Sequence, residues 1–112
     1  MNKQIFAIFT HNKGIFTHIL LNVFDLAEKG YDVGVIFESE ACKFVGDFED
    51  ASYDKWNRLK EKNLVAAVCE ACSKAMGTLE SAKRQNLPIN GDLFGHPPLE
   101  HWIKDGYRIM IV

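Results

Sequence analysis

No apolar run in this 112-residue chain approaches the ~20 residues of a membrane-spanning helix, because Asn22, Asp25 and Lys74 interrupt the longest helical segments. An integral membrane protein is therefore not expected, and no membrane partner is assigned. The opening Met1-Asn2-Lys3-Gln4 leads into only five apolar residues, 5–9, too few and wrongly flanked for a secretory signal. A cytoplasmic location is the expectation. Basic clusters are missing too: thirteen Lys and Arg are dispersed among fifteen Asp and Glu, for a net charge of −2. Without a Lys/Arg footprint to neutralise phosphates, nucleic acid is not an expected partner. Gly14 stands alone in its loop, with neither GxGxxG nor GxxxxGK[ST] around it, so no nucleotide cofactor is expected. GxSxG and HExxH are also absent, which removes the commonest serine hydrolase and metalloprotease readings. Cysteine is scarce, with three residues that cannot all pair within one chain. In an unexported protein, their CxxC spacing points to redox or metal chemistry more than to a structural disulfide.

What is there reads as one small domain covering residues 1–112, since the length suits a single core and no repeat, low-complexity tract or linker divides it. Residues 4–9 (QIFAIF) form a β-type run that ends in a polar loop, Thr10 to Gly14. Over 15–29, Phe16, Ile19, Leu20, Val23, Phe24 and Ala27 recur at three- and four-residue spacing until Gly30, which predicts an amphipathic helix. Residues 31–37 return to β-rich composition and complete a βαβ unit. Weaker helical patterning over 41–48 and 54–62 precedes a short apolar strand at 64–68. A single helix is predicted over 73–85, and an irregular short strand near Ile89. A last helix opened by Pro97-Pro98 carries Leu99, Trp102 and Ile103, and 107–112 form a terminal strand. Strands alternating with helices, and apolar throughout, predict a three-layer α/β/α sandwich with a mostly parallel sheet of four or five strands.

In open α/β sheets ligands bind beyond the carboxyl ends of the strands, so residues just after each strand are the first candidates. Thr10, His11 and Asn12 follow the first strand, Glu38 and then Cys42 the second, Cys69 and Cys72 the third, while His96 precedes the last helix. Cys69 falls in a strand-to-helix turn, where free backbone N–H groups and the helix dipole favour a thiolate. Cys72 lies three residues on, within reach of a mixed disulfide or persulfide on Cys69. His11 and His96 are secondary candidates for orienting or protonating a sulfur leaving group. Glu38 can receive a proton at the rim, but a carboxylate after a strand is more commonly a helix cap, as are Ser39 and Asp54. Phe16, Phe24 and Trp102 fall at core spacings, and His18 and His101 take surface positions. Zinc held by Cys69, Cys72, Cys42 and either His11 or His96 is the rival chemistry; no second CxxC or HxxxH supports it, and no metal is expected.

Four segments, QIFAIFTHN, LAEKGYDVGVIFES, LVAAVCEACSKAMG and WIKDGYRIMIV, resemble the DsrE/DsrF-like family, which includes sulfur-relay proteins of tRNA thiolation and dissimilatory sulfur metabolism. In that family a cysteine after the third strand stands eight residues before a glycine, as Cys69 stands before Gly77 here. The resemblance implies a DsrE-like fold, frequent homo-oligomers, and Cys69 at the position that carries persulfide in active members. Some relatives have a second cysteine where Cys72 stands; the family's frequent Arg before the glycine is Met76 here. The expected function is a sulfur carrier or sulfurtransferase-like protein, with a protein sulfur donor or acceptor, Cys69 as persulfide-forming thiol and Cys72 as resolving thiol. A thiol redox or sensing protein cycling a Cys69–Cys72 disulfide, and a noncatalytic oligomeric binding module, are the alternatives.

Overall fold

The computed structural model describes residues 2–112. Its elements run β1 (Lys3–Ile8), α1 (Lys13–Glu28), β2 (Asp32–Phe37), a 3₁₀ turn (Ser39–Ala41), α2 (Cys42–Asp50), α3 (Asp54–Glu61), β3 (Val65–Cys69), α4 (Glu70–Met76), α5 (Leu79–Arg84), β4 (Ile89–Asn90), α6 (Glu100–Ile103) and β5 (Arg108–Ile111). All strand pairs are parallel, in the order β4-β3-β2-β1-β5, within a three-layer α/β/α sandwich. No helix among the described residues is long and apolar enough to cross a membrane.

Parallel neighbours cannot be joined by tight hairpins, so every connection must cross a face of the sheet. The steps from β1 to β4 all move one way across the sheet, and their helices α1 to α5 bury one face. Phe6, Ile8, Val35, Phe37 and Val68 point into that layer and meet Phe16, Leu20 and Val23 of α1. The step from β4 to β5 returns across the whole sheet and carries α6 over the other face. There Ile5, Ala7, Ile36 and Ala67, alternating with the first set as the β repeat requires, pack against Trp102. On this face the neighbouring strands crowd at Gly34, where a Cβ would sit 2.9 Å from that of Ala66.

The thicker layer is aromatic. Phe16 stacks on Phe44 at 4.7 Å, Phe44 on Phe48 at 4.8 Å, and Phe37 meets the edge of Trp56 at 5.5 Å. Buried Trp56 donates its indole N–H to Glu49 Oε1 at 3.2 Å and Gln85 Oε1 at 3.0 Å, while Gln85 Nε2 donates to Val45 O at 2.9 Å. One fully buried indole thus ties α2, α3 and α5 together with its polar edge satisfied.

Several sequence expectations change. The helix expected over 73–85 is two helices, because Gly77 takes φ +73° and ends α4. The last helix is a single turn, and β1 stops one residue before Phe9. Ser39 lies inside the 3₁₀ turn with φ +51°, and neither Glu38 nor the residue before α3, Tyr53, makes a side-chain capping bond. Asn12 is the cap instead, its Oδ1 accepting from Ile15 N–H at 2.9 Å. In β3, pairing with β2 passes from Val35–Val65 to Ile36–Ala67, leaving Ala66 as a bulge.

Between β4 and α6, residues 93–96 close a tight turn: Leu93 and His96 exchange backbone bonds of 2.8 and 2.9 Å. Phe94 and Gly95 occupy its centre with φ +50° and +93°, the hairpin geometry that suits Asn-Gly and not an aromatic residue. Phe94 is 95 % exposed, so no packing offsets that strain.

Replacing Trp56 with alanine is expected to lower stability by about 3–5 kcal/mol, read as a lower urea midpoint at unchanged m. Phe94→Gly is expected to leave stability unchanged or raise it by up to about 1 kcal/mol, since it relieves a left-handed residue.

Candidate functional site

The chain turns from one face of the sheet to the other between the carboxyl ends of β3 and β4. In open α/β sheets such a switch point opens a crevice. Cys69 ends β3 and is the residue before α4, with φ −64° and ψ 122°. Because Phe37 pairs with Val68, the next residues, Glu38 and Cys69, emerge side by side at the rim. Cys69 also pairs with Asn90, whose following residues 91–98 fold back over the start of α4.

Two glycines make that return fit. A Cβ on Gly91 would collide with the Glu70 side chain, and one on Gly95 would lie 2.9 Å from Ala71 Cβ. Gly95 O accepts the Ala71 N–H at 2.9 Å, which fixes the turn against α4. His96 is thereby set over the thiols: its Nδ1 lies 3.1 Å from Cys69 Sγ, 3.8 Å from Cys72 Sγ and 3.8 Å from Glu38 Oε1. The Cys72 N–H points at Cys69 Sγ at 3.4 Å, and Gly95 O lies 3.6 Å from the same sulfur. One donor atom from each of Glu38, Cys69, Cys72 and His96 lies within 4.8 Å of all the others.

Glu38 and Cys69 are buried, Cys72 is partly exposed and the His96 side chain is half-exposed, so the cluster is reached from the His96 side. Burial pushes the Glu38 carboxyl above the ordinary carboxylate range, against the lowering effects of the Cys69 hydrogen bond and His96. Burial also pushes the Cys69 thiol up, with Cys72 and Glu38 opposing its ionisation. The expected thiolate-favouring turn is thus outweighed by burial, and the resting state is the thiol. With the imidazole proton on Nε2, Nδ1 accepts the Cys69 S–H.

The other candidates do not join this cluster. Cys42 is fully buried at the start of α2, its Sγ 3.5 Å from Phe37 O and its thiol pushed up to about 12 chiefly by burial. His11 turns away toward Asp47, 3.5 Å off, and against the Phe44 ring. Asn12 is occupied as the α1 cap. Glu38, a rim candidate for which capping was the commoner role, belongs to the centre. Gly91 and Gly95 were not among the expected site residues, although the Gly-Asp-Leu-Phe-Gly-His run was readable as a turn that delivers its histidine.

No family model matches the chain. The solved structure of a conserved protein of unknown function, BT1422, from Bacteroides thetaiotaomicron has a TM-score of 0.77 over 99% of this chain and 96% of that one. At 15% identity the likeness is one of fold. A protein of Methanocaldococcus jannaschii, uncharacterized protein MJ0733, is 32% identical over 114 aligned positions, which span 96% of this chain and 93% of that protein. With identity sustained along almost the whole of both sequences, the chain belongs to the same family as MJ0733.

Proposed function

We propose that this protein is a sulfur carrier in which Cys69 accepts sulfane sulfur as a persulfide. The observation that carries the reading is the 3.1 Å approach of Cys69 Sγ to His96 Nδ1, with Cys72 Sγ 3.8 Å from the same nitrogen. The resemblance of the Cys69 to Gly77 segment to DsrE/DsrF-like proteins supports it, and extends the proposal to a cytoplasmic homo-oligomer that exchanges sulfur with protein donors and acceptors.

As the donor, a persulfide R–S–SH, reaches the crevice, His96 Nδ1 takes the Cys69 proton. The thiolate then attacks the outer donor sulfur, the S–S bond breaks and R–S⁻ leaves, taking the proton from His96. The products are Cys69–S–SH and R–SH, with no external oxidant. Cys72 has two routes onward. Attack on the outer sulfur moves it to Cys72; attack on Cys69 Sγ expels hydrosulfide and leaves a Cys69–Cys72 disulfide.

A second reading, a thiol redox module, is favoured by the two sulfurs facing one imidazole nitrogen. There a low-molecular-weight disulfide takes two electrons, leaves as two thiols and closes the Cys69–Cys72 bond.

Incubation with glutathione persulfide followed by intact-mass analysis tests the carrier. The wild type is expected to gain the mass of one sulfur atom, and Cys69→Ser to gain none there; equal loading of both sinks the assignment. His96→Gln is expected to slow loading by about 10²-fold or more while far-UV circular dichroism is unchanged. Cys72→Ser is expected to load normally but release less hydrosulfide over time, and release at the wild-type rate would remove the disulfide-forming route through Cys72.

A further inference from the structure

We infer that Glu38, Cys69, Cys72 and His96 form a binding site for one zinc-class divalent cation, held by a carboxylate oxygen, two thiolate sulfurs and imidazole Nδ1. The sequence disfavours zinc because no second CxxC or HxxxH accompanies Cys69 and Cys72, and of the further ligands it offers, Cys42 and His11 lie elsewhere while His96 joins the pair. The fold supplies Glu38 as the fourth ligand, through the register that sets it beside Cys69.

A tetrahedral zinc with Zn–S near 2.3 Å and Zn–N or Zn–O near 2.0 Å places its donor atoms roughly 3.3–3.8 Å apart. The separations of 3.1, 3.8 and 3.8 Å from His96 Nδ1 to Cys69 Sγ, Cys72 Sγ and Glu38 Oε1 already fall near that range. The other three separations lie within 4.8 Å, so side-chain shifts of up to about 1 Å close the set. Charge points the same way: Glu38 is 6% exposed and no lysine or arginine pairs with it among the described residues. A carboxylate and two thiols that ionise on binding form an anionic donor set that a cation would neutralise, and a borderline-soft one matches the mixed sulfur, nitrogen and oxygen donors. The surroundings are those of a metal site as well. The Cys72 N–H directed at Cys69 Sγ satisfies a coordinated sulfur, the docked glycine turn fixes the imidazole, and half-exposed His96 leaves an entry path. Binding displaces one proton from each thiol and leaves both sulfurs as thiolates on the metal.

This site does not depend on the sulfur-carrier reading, and bound metal would mask Cys69 from a persulfide donor. The test uses the whole chain, stripped with a chelator, exposed to Zn²⁺ and desalted. The wild type is expected to retain close to one zinc per chain, and Co²⁺ in its place to show tetrahedral ligand-field bands with thiolate-to-cobalt charge transfer. Zn²⁺ is also expected to protect Cys72 from alkylation in the wild-type protein, a readout that needs no variant. Cys72→Ser, His96→Gln and Glu38→Gln are each expected to weaken retention by at least about tenfold. No retained zinc, no protection of Cys72, or equal retention by all three variants would overturn the site. Sulfur loading of the chelator-treated protein is scored separately, so either proposal can fail while the other stands.

Discussion

A parallel strand ends at the opposite side of the sheet from where its neighbour begins, and the chain must therefore travel back over one face each time. With the order β4-β3-β2-β1-β5, three such returns use the same face, and the fourth, reversing direction across the sheet, uses the other, as the right-handed preference of such crossovers dictates. That constraint divides the interior into a deep aromatic layer under α1 to α5 and a shallow one under α6. It also decides where the sheet rim opens. The connections after β3 and β4 diverge, and Cys69, Cys72 and His96 collect in the gap between them, with Glu38 entering from the adjoining strand.

The local residues are fitted to this gap from three directions. Pairing of β2 with β3 delivers Glu38 and Cys69 together, the first turn of α4 lifts Cys72 alongside, and the glycine-bearing turn lowers His96 from above. Burial keeps Cys69 protonated at rest, so whatever uses this thiol must bring a base or a cation to it. His96 is the base already present. The same four groups, once the thiols lose their protons, become a metal donor set, and the two chemistries therefore compete for one sulfur.

Much of the architecture was legible because hydrophobic periodicity reports burial directly. Phe16, Leu20, Val23 and Phe24 on α1 and the apolar strands were readable from spacing alone, as was the strand-to-helix position of Cys69. The misreadings share a cause: they required knowing what a residue meets across the fold. The helix expected over 73–85 runs through Gly77, whose left-handed φ splits it in two. Cys42 looked like a rim residue, but α2 turns it into the core. Glu38 looked like a cap because a post-strand acid gives no local sign of the cysteine beside it, and His96 became central only through two glycines docking on Glu70 and Ala71.

The bulge at Ala66 sets the phase between two strands. Pairing runs Val35 with Val65 and Ile36 with Ala67, so β3 spends one more residue than β2 over the same length of sheet. Ironing out the bulge with every residue kept would bring Val68 level with Glu38 and carry Cys69 one place beyond the rim, facing the other way. The hydrophobic pattern of VAAV would hardly register the loss. Whether the thiol meets the carboxylate at all is in this sense a question of odd or even, settled by a single alanine four residues after Lys62.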